Sequence, residues 1–174
     1  MSTPLLESLR QWRDFYALIG TASATLVALM FVAASIGAGV FTRKHQAGIR
    51  SFLSPTVVHF SAVLIICLLA TIPTETWAVL GVLLTCAGVT GLVYSGWICR
   101  RMMKHGIIAT IDVVDRLWYA LLPAATYLLV IVAGVSLWRQ SEVSLNILAL
   151  ALILLLLIGI RNSWDMTVWV MDHR

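Results

Sequence analysis

Charge is scarce in this chain. Only 11% of its 174 residues are Asp, Glu, Lys or Arg, against 60% hydrophobic. Soluble domains carry about 25% charged residues, and eight acids with twelve bases are too few to clothe a soluble fold of this size. A mean hydropathy of +0.95 points to hydrocarbon as the solvent. Cysteine is limited to three. Cys67 and Cys86 lie in apolar runs, Cys99 ends one, and no CxxC or Cys/His spacing suggests a metal site. Also missing are a Gly-rich phosphate loop, HExxH, GxSxG and a mid-membrane carboxylate pair. We therefore expect no catalytic residues, no metal and no cofactor, and the balance of the residues is against an enzyme without deciding it.

The net charge of +4 and pI near 9.3 raise nucleic acid as a partner. Phosphate tracking needs a basic surface, whereas here the bases fall in short segments between apolar runs. No nucleic-acid partner is expected; the lipid bilayer is. A cleavable signal is not expected either, because the opening MSTPLLESLRQWRD mixes both charges and the following run is too long.

What is present is a series of long apolar runs. They predict an all-α, polytopic transmembrane helical bundle, one domain over residues 1–174. Five spans are expected at about 15–41, 55–72, 75–99, 116–138 and 143–160. Residues 5–14 read as a short interfacial helix. Ser54-Pro55 reads as N-cap and N1 of the second span, and Pro73 as its stop. Thr74 caps the third span, and Pro73–Thr76 makes a tight turn. Pro123 falls inside the fourth span, where lipid-embedded neighbours tolerate it. Asp112 and Arg116 form an i,i+4 pair if helical, and Arg139–Glu142 makes the last turn.

Tryptophan supports this map. Trp77 and Trp97 are twenty residues apart, as are Trp118 and Trp138, a rise of about 30 Å that equals the hydrocarbon thickness. Trp12 and Trp164 lie just beyond the first and last spans, so both faces carry an aromatic belt. Nine of the twelve Lys and Arg fall on one side if residues 42–54 and 100–115 share a compartment. The positive-inside rule makes that side cytoplasmic. It places the N-terminus outside and the C-terminus cytoplasmic.

Few polar residues stand out. His59 is the only ionisable group well inside a span, a functional candidate by position or a neutral imidazole bonded to a carbonyl. Arg161, Asn162 and Asp165 form the densest polar cluster beside a span, either an interfacial anchor or a buried network. Thr21, Ser23, Thr25 and Ser35 make the first span rich in hydroxyls. They line a pore or bond back to their own helix. Gly20, Ala24 and Ala28, with Ala87, Gly91 and Ser95, form small-residue stripes that let helices approach closely, within one chain or in a homo-oligomer.

The run Gly20-Thr21-Ala22-Ser23-Ala24-Thr25-Leu26-Val27-Ala28 and onward to Ser35 resembles the opening helix of small, uncharacterised bacterial five-span integral membrane proteins. The ending Arg161-Asn162-Ser163-Trp164-Asp165 after an apolar run is similar to theirs. The resemblance implies a multi-pass protein of the bacterial inner membrane and brings no functional residues with it. Three functions remain open: a structural, assembly or regulatory component acting through helix contacts on a second copy or another membrane protein; a homo-oligomeric channel for an ion or small solute; and a redox carrier or enzyme built on His59.

Overall fold

The computed structural model describes residues 4–40, 43–72, 76–104, 117–141 and 143–172. These residues form five α-helices and no strand: α1 Pro4–Val40, α2 Arg43–Thr71, α3 Trp77–Lys104, α4 Leu122–Trp138 and α5 Ser144–Asp172. Three stretches are long and apolar enough to cross a membrane: Leu9–Ser35, Trp77–Arg100 and Ser144–Asp165. Pro55–Thr71 and Leu122–Trp138 are shorter apolar helices.

The helices outrun the apolar runs that predict them. α1 absorbs the expected interfacial helix, with Pro4 as its first residue, the position where a missing N–H costs nothing. Ser54-Pro55 does not start α2; the helix begins at Arg43 and carries Pro55 inside it. The proline removes one backbone bond, but the preceding Arg, Lys, Gln and Ala favour the helix strongly enough to run through. At α4 the proline effect is visible. A π-helical turn, Leu117–Leu121, precedes the regular helix, and Pro123 sits at its first turn. Widening the ladder before a proline accommodates the ring and the lost donor. The Pro73–Thr76 turn, the Asp112–Arg116 pair and the start of the fourth span lie largely outside the described residues.

α4 ends in a Schellman motif. Gln140 adopts a left-handed conformation (φ 59°). The amide of Ser141 donates to the Ser136 carbonyl at 3.0 Å, and that of Gln140 to Leu137 at 2.9 Å. The chain reverses there, and the Ser144 hydroxyl bonds the Ser141 carbonyl at 2.7 Å, opening α5.

Contacts set the directions. Gly20 lies on Cys67, and the Ser23 hydroxyl donates to the Phe60 carbonyl at 2.6 Å, so α1 and α2 are antiparallel. Tyr16 donates to the Leu145 carbonyl at 3.2 Å, while Ser163 reaches Met30 Sδ at 3.7 Å, so α1 and α5 are parallel. Gly81 meets Gly134 and Trp138, whereas Gly88 meets Tyr127 and Ile131, so α3 and α4 are antiparallel. Helices α2, α3, α4 and α5 close a ring, each touching two neighbours, and α1 leans on α2 and α5 from outside. The α3–α4 approach is close enough that a Cβ on Gly81 would stand 2.7 Å from the Gly134 carbonyl oxygen. Only glycine on both helices permits it.

The outside is apolar. Leu18, Phe31 and Val93 are each more than 60% exposed. Trp97, Trp138 and Trp164 also face outward. By the contacts above, Trp12, Trp77 and Trp138 share one end of the bundle, and Trp97, Trp118 and Trp164 the other. An apolar exterior girdled twice by indoles is the pattern of a protein solvated by lipid, and it fits a membrane protein.

Candidate functional site

The interior of the ring changes character along its length. At the end where α4 turns into α5 it is filled by Leu80, Leu84, Leu137, Leu145, Leu148 and Leu152, all 2% exposed or less. Toward the opposite end polar side chains enter from all four helices.

α2 supplies Thr56 and His59, both 1% exposed. They sit one turn apart on the face that also buries Phe60 and Val63. α4 supplies Tyr127, whose hydroxyl lies 3.0 Å from His59 Nδ1. The phenol ring fits because Gly91 of α3 leaves room; a Cβ there would run into the ring. One turn further along α3, Ser95 is 2% exposed. α5 supplies Asn162, 1% exposed, whose backbone carbonyl accepts from Tyr119 at 3.4 Å.

Register brings these groups to one depth. Phe60 touches Gly159 where α2 and α5 pass antiparallel, so His59 and Asn162 lie within about one turn of each other along the bundle, some ~5 Å. On the α3–α4 seam Gly91 faces the Tyr127 ring, which leans toward the N-terminus of its helix as helical aromatics do. Ser95 lies on that same side. The result is a polar layer at one level of an otherwise apolar ring.

Its hydrogen-bonding is incomplete among the described residues. His59 Nε2, Ser95 Oγ, and both Asn162 Nδ2 and Oδ1 are buried without a partner there. If the Tyr127 hydroxyl donates to Nδ1, Nε2 carries the hydrogen and offers a donor; with the other tautomer Nε2 is an acceptor. No group of three His, Cys, Asp or Glu side chains stands together among the described residues, so what the layer offers a ligand is hydrogen bonding without charge.

Arg161 and Asp165 stand beside the layer and are turned outward. The Arg161 Nε donates to both carboxylate oxygens, at 2.9 and 3.1 Å. The two side chains are 41% and 25% exposed, and the guanidinium lies 5.3 Å from the centre of the Trp118 ring. The pair is a local i,i+4 bridge on α5.

The remaining candidates divide by helix. Thr21 and Thr25 face outward from α1, bonding the Ala17 and Thr21 carbonyls at 2.8 and 2.9 Å. Gly20 is buried on α2, Ala24 is half-buried and Ala28 is exposed. On α3, Ala87 packs against the core, and Gly91 and Ser95 both turn inward. Sequence reasoning missed Tyr127, Tyr119 and Thr56; Ser23, expected to line a pore or bond back to its own helix, instead donates to α2. The two tyrosines carried a usable signal, since a phenol in mid-span must find a partner when buried.

No family model, curated protein or solved structure matches this chain.

Proposed function

We propose that this is a multi-pass component of a bacterial inner membrane, crossing it five times with the N-terminus outside and the C-terminus cytoplasmic. Its role is structural, assembly or regulatory and is exerted through helix contacts. α1 is the contact element, and a second copy of the chain is its partner.

The position of α1 carries the reading. The helix stands outside the ring and spends one narrow face, Leu9, Tyr16, Gly20 and Ser23, on the bundle. Its opposite face presents Thr21, Thr25 and Ala28, all exposed. In lipid, apolar surface alone does not drive association; small residues that permit close approach do. The hydroxyls of Thr21, Thr25 and Ser35 each bond a carbonyl one turn back. That supports a packing face more than a wet one. A permeation path through a single ring would have to cross the leucine-filled half. The alternating directions of the five helices and the two tryptophan girdles support five crossings, and the Lys and Arg distribution supports the orientation.

Two measurements test this. The mass of the complex in nanodiscs should correspond to a dimer or larger homo-oligomer, and Thr25→Leu should shift it toward the monomer. A monomer for the parent chain at every concentration sinks the contact role. For topology, Lys44→Cys and Ser141→Cys, in a background with the native cysteines replaced, should react with an impermeant maleimide from opposite sides. Labelling from one side removes the five crossings.

A further inference from the structure

We infer that the α2–α5 ring holds a small internal binding site for an uncharged guest that both donates and accepts hydrogen bonds, at the level of His59, Ser95 and Asn162. Water and neutral solutes of a few heavy atoms share that chemistry.

Three features carry this beyond the contact role of α1. The first is convergence. The four polar atoms without described partners belong to three helices, α2, α3 and α5, and the register of the bundle sets all three side chains within about one turn of the same depth. Each residue is at least 98% buried. Buried polar atoms in native proteins are almost always hydrogen-bonded, to protein or to an ordered guest.

The second feature is the kind of donor set. The Asn162 amide presents a donor at Nδ2 and an acceptor at Oδ1, and the Ser95 hydroxyl is both. A guest that only accepts would leave Oδ1 unmatched, and one that only donates would leave Nδ2. The Arg161–Asp165 bridge closes on itself, with Arg161 on the Trp118 face, so it offers no countercharge to an ion in the layer. A charge held there would be unpaired in an apolar interior.

The third feature is closure on one side. Val63, Leu84, Val130 and Leu155 are fully buried and form the edge of the apolar half that faces the layer. The guest therefore has a floor, and the site is a pocket of the ring.

The test uses the full chain in liposomes, labelled with ¹⁵N at His and Asn and observed by water-edited solid-state NMR. The His59 and Asn162 side-chain signals are identified by their loss in His59→Phe and Asn162→Leu, or by sequential assignment if either variant does not fold. Rapid transfer of magnetisation from water to both side chains is expected and identifies water as the guest. If added glycerol suppresses that transfer, the site also admits a solute. If neither water nor glycerol reaches either side chain, the proposal is overturned. Thermal denaturation gives an independent reading. A Tm of Asn162→Leu at or below the parent value fits a guest whose bonds are lost. A higher Tm means that the amide was unpaired in a dry core, since an apolar replacement relieves that burden, and overturns the proposal.

Discussion

The two halves of the ring are built from the same four helices and held together in different ways. Near the α4–α5 turn, the interior is leucine with Val130, Ala133 and Ala151, and the hydroxyls of Thr85 and Ser144 are satisfied by carbonyls of their own segment. In the other half, Tyr127 reaches across to His59 and Tyr119 to the backbone carbonyl of Asn162. Since lipid is as apolar as leucine, burying leucine gains little there; shape and close approach hold the first half. The second is ordered by hydrogen bonds, whose directionality leaves specific atoms to be satisfied. A membrane bundle can thus be rigid at one level and receptive at another without changing its backbone plan.

The largest expected effect comes from disturbing the close-packed half. In Gly134→Ala the new Cβ would stand 2.5 Å from Thr85 Oγ1 and 2.8 Å from the Gly81 carbonyl oxygen. One of these is backbone and cannot swing aside. Overpacking of this kind costs about 1–3 kcal/mol, and we expect the upper part of that range, read as a lowered Tm in detergent. A neutral result would mean that α3 and α4 are further apart than the glycine pair implies. Tyr127→Phe tests the other half. It keeps the ring that fills the space at Gly91 and removes the hydroxyl that partners His59 Nδ1. The expected loss is about 0.5–1.5 kcal/mol, smaller than that of Gly134→Ala. A loss exceeding that of the glycine variant would reverse the ranking of the halves.

The helical, apolar plan was legible in the sequence, whereas the contrast between the halves depends on partners distant along the chain. The twenty-residue tryptophan spacing was legible because slab thickness and helical rise are both fixed lengths. His59 and Asn162 stood out because polar side chains are rare in these runs. Tyr127 did not, because what draws it into the polar layer is a histidine 68 positions away on another helix. The spacing predicts the Gly20–Ala24–Ala28 stripe as one face, and the structure splits it. Steps of four residues drift about 40° each around a helix, so Gly20 meets α2 while Ala28 faces out. Ser54-Pro55 misled because a local start signal says nothing of helix-forming residues upstream, which carried α2 back to Arg43.

The smallest expected effect belongs to the Arg161–Asp165 ion pair on the surface of the polar half. Had Arg161 been buried, Asp165→Ala would strand a charge and cost several kcal/mol. The observed exposures, 41% for Arg161 and 25% for Asp165, put the pair in the range of solvated bridges, worth about 0–1 kcal/mol. Arg161 also keeps a second partner, the Trp118 face at 5.3 Å, which an exposed cation–π contact holds at about 0.5–1 kcal/mol. We therefore expect Asp165→Ala to lower stability by less than about 0.5 kcal/mol, with the difference shrinking in high salt as exposed charges are screened. Melting curves of parent and variant at low and high ionic strength measure both quantities. A large, salt-independent loss would show that the guanidinium is shielded from water in the assembled protein. Arg161 would then be part of the polar half and no longer a bystander on its rim.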